Sequence, residues 1–200
     1  MSRSLHLKSF ATAVVVALAA CGGGEPAQEV ATDATAAPAA AATPAAPAMG
    51  EMTMTDWFHA DDAGKMVHMT ITAGFTDAKN YWNFNGGHDG NMTITVPEGY
   101  AVTIDLVNKD PVMAHSLGIS AVTGNIGILD PTPAFEGAIT TNAASMTEAT
   151  LPGETESIKF TAGSAGSYSM ICFIPGHAAA GMWIHFNVSA DGTKGVQTSM

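Results

Sequence analysis

Over residues 51–200 the sequence predicts an all-β domain, a single Greek-key sandwich of antiparallel strands. Short runs rich in Val, Ile, Thr, Tyr and Phe recur at close intervals, and each is bounded by a cluster of turn-forming residues. No apolar pattern of helical period persists over a useful length, and no internal repeat is present. The stretch holds 150 residues, which is one domain's worth of chain with ample apolar content for a core.

Taken in order, strands are predicted at Val67 to Ala73 and at Asn80 to Phe84, the latter stopped by Asn85-Gly86-Gly87. Met92 to Val96 ends at Pro97-Glu98-Gly99, and Tyr100 to Asn108 ends at Lys109-Asp110-Pro111. A fifth run covers Met113 to Ser120. Pro131 to Pro152 lacks either period and reads as an irregular excursion with at most a short helical turn. Glu156 to Thr161, Tyr168 to Cys172 and Met182 to Val188 complete the set.

The last two runs frame the segment CFIPGHAAAGM, in which Cys172 is followed by His177 and then Met182. Alternation puts Tyr168, Met170 and Cys172 on one strand face, with Ser167 and Ser169 opposite. Met182 is in phase with Ile184, Phe186 and Val188, whereas Trp183, His185 and Asn187 face outward. Upstream, His115 groups with Met113, Leu117 and Ile119. Three independent registers therefore turn a thiol, an imidazole and a thioether toward the same interior.

Those residue types share a chemistry. A thiolate and two imidazoles bind copper strongly in a trigonal plane, and a thioether adds a weak axial contact compatible with both Cu(I) and Cu(II). Pro175 restricts the loop backbone, and Gly176 and Gly181 allow turns that other residues resist. Alone, a buried cysteine is a small hydrophobe, a histidine a satisfied core residue and a methionine filler. Their joint spacing, with an upstream histidine in phase, points to a metal site built from His115, Cys172, His177 and Met182.

The runs YSMICFIPGHAAAGMWIHFNV, MTITVPEGYAVTIDLVN and AHSLGI resemble the sulfocyanin branch of the cupredoxins, near the rusticyanin type, across most of residues 66–190. The resemblance implies a cupredoxin-like β-sandwich or barrel holding one copper ion. In it His115, Cys172 and His177 would be equatorial ligands and Met182 the axial one. It further implies that Ser116 braces the two ligand loops by hydrogen bonds, where many cupredoxins have Asn.

The N-terminal residues indicate a location. Arg3 and Lys8 precede an apolar stretch from Phe10 to Ala20, which closes with Leu-Ala-Ala-Cys at Leu18 to Cys21 and a glycine run. This resembles a lipoprotein signal over residues 1–20, cleaved before a lipidated Cys21. The stretch has about half of the roughly 20 residues a spanning helix needs. Residues 21–50 then hold Cys21 and a tether rich in Ala, Pro and Thr that cannot bury a core. Its 29 residues from Gly22 to Gly50 would span roughly 30 Å as a flexible coil. Such a tether suits a carrier that visits partners, and equally one that only clears the lipid surface. With Cys21 given to the anchor, Cys172 is left free for metal rather than for a disulfide.

Charge narrows the partners. Residues 51–200 carry 15 Asp and Glu against five Lys, a formal charge of −10 with histidines neutral. Nucleic acid and anionic lipid are poor matches for such a surface, and a basic redox protein such as a c-type cytochrome or terminal oxidase is a better one. The resemblance thus implies a lipid-anchored, periplasm-facing or cell-surface electron carrier acting as a monomer, not an enzyme. Its partner would meet an apolar patch of Ile174, Pro175 and Ala178 to Ala180, including Ala179, around the edge of His177. The alternative is a periplasmic copper chaperone or store, a reading the small cluster Met49, Met52 and Met54 invites. A Cys172/His177 nucleophile pair lacks a third group and leaves Met182 unexplained. His59, His68 and His88 show no recognisable ligand spacing, and Trp82 and Trp183 read as packing residues.

Overall fold

The computed structural model describes residues 50–199, and the segments read above as signal, lipidated Cys21 and most of the tether lie outside them. Nine strands form in the described residues: β1 (Phe58–Asp61), β2 (Met66–Ala73), β3 (Met92–Pro97), β4 (Ala101–Asn108), β5 (Gly118–Ser120), β6 (Thr155–Thr161), β7 (Gly166–Ile171), β8 (Trp183–Ser189) and β9 (Gly195–Thr198). No helix occurs among the described residues. One sheet runs β1-β2-β4-β6 and the other β5-β7-β8-β3-β9.

Alternation drives the packing. In β4 every second residue is buried, and Val102, Ile104 and Leu106 face inward while Thr103 and Asp105 look out. Met69 and Ile71 of β2, Ile94 of β3, and Ile184 and Phe186 of β8 meet them between the sheets. Each large apolar side chain so enclosed contributes about 1.5–3 kcal/mol relative to exposure.

The sandwich departs from the antiparallel expectation at two places. β2 pairs with β4, and β3 with β8, in parallel. Two short edge strands, β1 and β9, also escaped the sequence reading, since four residues carry little periodic signal.

Two predicted strands dissolve for identifiable reasons. Asn80 to Phe84 does not extend, because Lys79, Asn80 and Tyr81 take left-handed backbone angles with φ of 54°, 58° and 66°. The fully buried Asn83 stabilises this turn, its amide donating to the Thr76 and Ala78 carbonyls at 2.8 and 3.0 Å. Of the run from Met113 to Ser120 only β5 remains a strand. Its N-terminal half is tied down by Asn108, whose amide donates to the Met113 and Thr150 carbonyls at 2.8 and 2.9 Å.

Between β5 and β6 the chain is irregular, as expected, yet it has a packing task. Ile126 and Ala143 join Ile171, Phe173 and Ala178 in a second apolar cluster, with Leu129, Ile139 and Trp183 at its margin. Ile171 of β7 belongs to this cluster, and Ser169, on the strand face opposite Met170, is also fully buried.

Candidate metal centre

Three adjacent strands deliver the site. β7 pairs with both β5 and β8, with Ile171 opposite Gly118 on one side and Trp183 on the other. Cys172 and Met182 lie one step past that ladder, joined by a Cys172 N–H to Met182 carbonyl bond of 3.2 Å. His115 sits just before β5 and is held by a bond of 3.0 Å from its N–H to the Thr150 carbonyl. The intervening loop curls tightly, the His177 N–H donating to the Ile174 carbonyl and the Met182 N–H to that of His177. All four side chains are buried.

The donor atoms converge. His115 Nδ1 lies 3.9 Å from Cys172 Sγ, His177 Nδ1 lies 3.5 Å from it, and the two Nδ1 atoms are 3.3 Å apart. A circle through three points so spaced has a radius of about 2.1 Å, within the roughly 2.0–2.3 Å at which imidazole nitrogen and thiolate sulfur bind a metal ion. The three residues thus fit a single ion at their centre. Among the described residues they are the one His, Cys, Asp and Glu group with this convergence.

Hydrogen bonds fix the donors. His115 Nε2 donates to Asp110 Oδ2 at 2.9 Å, which leaves the Nδ1 lone pair facing the sulfur. Asp110 is only 1% exposed; its Oδ1 accepts from the Val112 and Met113 N–H groups at 2.8 and 2.9 Å. Burial acts to raise the Asp110 pKa, but the bonds from Val112, His115 and Met113 hold it below the ordinary carboxylate value. Ser116 lies between the two ligand-bearing segments. Its N–H points at Cys172 Sγ at 3.4 Å, its hydroxyl lies 3.6 Å from the same sulfur, and that hydroxyl accepts from the Phe173 N–H at 2.9 Å.

Electrostatics suit a soft cation. Burial lowers the His115 pKa, with Asp110 opposing. Burial, followed by the proximity of His115, lowers that of His177 to about 4. Both rings are therefore neutral near pH 7 and can offer lone pairs. Burial raises the Cys172 thiol, while hydrogen bonds from Ser116 and Ile174 pull it back. A metal ion must displace that proton to bind.

The surroundings of His177 differ from expectation. The ring is 1% exposed, and Trp82 lies flat against it with centroids 4.0 Å apart and planes inclined at 18°. Ile174 and Ala178, assigned to an exposed docking patch, are buried, because they belong to the core and to the second apolar cluster. Pro175, Ala179 and Ala180 are exposed. Asp110 and Trp82 are the site residues that sequence reasoning missed. An Asp-Pro turn five residues before a histidine was the available signal for the first; nothing local marks the second. Of the remaining histidines, His68 pairs with Asp105 at 2.7 Å and His88 with Asp89 at 2.8 Å, both outside the centre.

A two-sheet all-β sandwich whose strand ends gather one thiol, two imidazoles and a thioether defines a class, the cupredoxins with a single copper centre. Residues 56–197 match the family described as the Sulfocyanin (SoxE) domain, and the chain belongs to that family. A sulfocyanin from Sulfolobus acidocaldarius is 28% identical over 131 residues, covering 60% of this chain and 62% of the relative, so the chain spans less than two thirds of that relative's length. Among solved structures, dithionite-reduced auracyanin from Roseiflexus castenholzii is 26% identical and covers 61% of this chain and 96% of its own, at a TM-score of 0.43. Rusticyanin from Thiobacillus ferrooxidans is 20% identical and covers 66% and 88%, also at 0.43. The cofactor of the family is one copper ion, and His115, Cys172, His177 and Met182 are arranged as a blue copper site.

Proposed function

We propose that this protein is an extracytoplasmic, lipid-anchored electron carrier that passes single electrons between respiratory redox proteins. The observation that carries the reading is the preset triangle of Cys172 Sγ and the two Nδ1 atoms, closed off from solvent. His115, Cys172, His177 and Met182 would hold the copper ion. Bound there, copper supplies a one-electron Cu(I)/Cu(II) couple.

The residues supply what such a couple needs. Asp110 and Ser116 hold the donors in place, so the ligand geometry is set before an electron arrives. Complete burial of the four side chains favours retention of the ion over the hand-off required of a chaperone or store. The formal charge of −10 over residues 51–200 favours a basic partner, such as a c-type cytochrome or an oxidase domain, recruited by long-range attraction. Anchoring through Cys21 would keep a monomeric carrier near a membrane-bound partner.

The test is the visible and EPR spectrum of residues 51–200 with one equivalent of Cu(II), beside a Cys172→Ser control. An intense thiolate-to-copper band and narrow hyperfine splitting, both lost in the control, are expected. A weak spectrum indifferent to Cys172 would defeat the reading. The anchor is tested separately, by mass spectrometry of the exported full-length protein for lipid on Cys21.

A further inference from the structure

His177 lies beneath an indole. We propose that Trp82 is the surface contact through which single electrons reach the His177 ring, so that a redox partner meets the indole rather than an imidazole edge. This rests on the electron-carrier reading above and deepens it.

Geometry makes the indole the covering group of the ligand. The two rings are stacked at 4.0 Å and 18°, a face-to-face overlap of π systems, while His177 itself is 1% exposed. Trp82 is half-buried, whereas the His177 it lies against is fully buried. Within the described residues His177 Nε2 has no hydrogen-bond partner.

The backbone shows that this placement is enforced. Lys79, Asn80 and Tyr81 all adopt left-handed angles immediately before Trp82, a conformation that residues with a Cβ rarely take in succession. Four hydrogen bonds of Asn83 sustain the turn, two donated to Thr76 and Ala78 and two accepted from the N–H groups of Thr76 and Gly86. The same segment is fastened to the ligand loop. Asp89 N–H donates to the Gly181 carbonyl at 2.7 Å, Gly90 N–H to that of Trp183 at 3.1 Å, and Lys79 Nζ pairs with Asp89 at 2.9 Å.

Filling space would not require this arrangement. A buried indole N–H ordinarily finds an acceptor, yet Trp82 Nε1 has none in the described residues. Its one aromatic partner among the described residues is the His177 ring. Strain of this kind, overdetermined by surrounding bonds, marks a functional position.

In the proposed step one electron leaves a reduced one-electron protein donor, which is thereby oxidised, and the carrier is reduced by one electron. Trp82 gains and loses nothing and transfers no proton. It supplies electronic contact between the partner's surface and His177.

The proposal is tested with copper-loaded Trp82→Leu and Trp82→Phe, using electron self-exchange measured from NMR line widths in mixtures of the oxidised and reduced protein. Trp82→Leu should slow exchange about tenfold, equivalent to about 1.4 kcal/mol of barrier, and Trp82→Phe should restore most of the rate. If Leu is not tolerated, Trp82→Met replaces it. Unchanged or faster exchange in the aliphatic variant would overturn the proposal, because the indole would then be a shield. A second readout needs no copper: in the apoprotein the indole ring current should move the His177 ring-proton resonances upfield, an effect kept by Phe and lost in Leu. Its absence in the wild type would equally overturn the proposal. Loss of the blue band in the wild-type protein would instead sink the carrier reading, so the two failures are distinct.

Discussion

Asp110 Oδ2 accepts the Nε2 proton of His115 at 2.9 Å, and the two side chains are buried together. That bond selects the imidazole tautomer whose Nδ1 faces Cys172. Because Asp110 also caps the Val112 and Met113 N–H groups, one carboxylate both shapes the turn and aims the ligand.

Replacing Asp110 with Ala should therefore have two effects. Buried donors lose their acceptor, which should cost about 1–3 kcal/mol of apoprotein stability in urea unfolding. Copper affinity should fall roughly 10–100-fold, as when other partners behind metal-binding histidines are removed, measured by competition with a chelator. Wild-type affinity in a folded variant would show that His115 keeps its orientation without the carboxylate.

Ser116→Ala separates bracing from ligation. The Phe173 N–H loses its acceptor and the sulfur loses a nearby hydroxyl, while the backbone contact from residue 116 remains. Stability should fall by about 1–3 kcal/mol. The reduction potential of the copper-loaded protein should also fall, since hydrogen bonds to the sulfur favour the more negative, reduced state. Voltammetry reads the second effect, and an unchanged potential would limit Ser116 to a structural brace.

Acid should weaken the apoprotein in a defined window. Burial, then the proximity of His115, depresses the His177 pKa from 6.5 to about 4 in the fold. Between those values the unfolded chain takes up a proton that the native state resists, so stability is full above pH 6.5 and declines until about pH 4. At about 1.36 kcal/mol per pKa unit the loss approaches ~3 kcal/mol, and the lowered His115 pKa acts in the same direction. Urea midpoints from pH 7 to 4 would measure it. A His177→Phe apoprotein with the same slope would assign the effect to other groups.

Gly181→Ala tests the fastening of the ligand loop. Gly181 has a φ of 112°, and a Cβ there would run into the Asp89 carboxylate and the Lys79 side chain. A loss of roughly 1–3 kcal/mol is expected from the strained backbone alone, with more from the collision. Gly176→Ala is the control, because at φ 90° its Cβ would meet nothing within 4 Å. Thermal unfolding should rank Gly181→Ala well below Gly176→Ala, and equal melting would deny the collision.

The sequence by itself determined the all-β class, the inward phase of Cys172 and Met182, and the four side chains that converge. These features are local: a strand repeats every two residues, and thiol, imidazole and thioether carry their chemistry wherever they stand. Only the tertiary structure decided that β2 with β4 and β3 with β8 run parallel, that Asp110 aims His115, and that Trp82 rather than solvent covers His177. Each depends on segments distant in the chain meeting at fixed angles. For Trp82 the meeting follows from three successive left-handed residues and a buried Asn83, a conformation that leaves no period in the sequence and in which Asn80 to Phe84 reads as a strand.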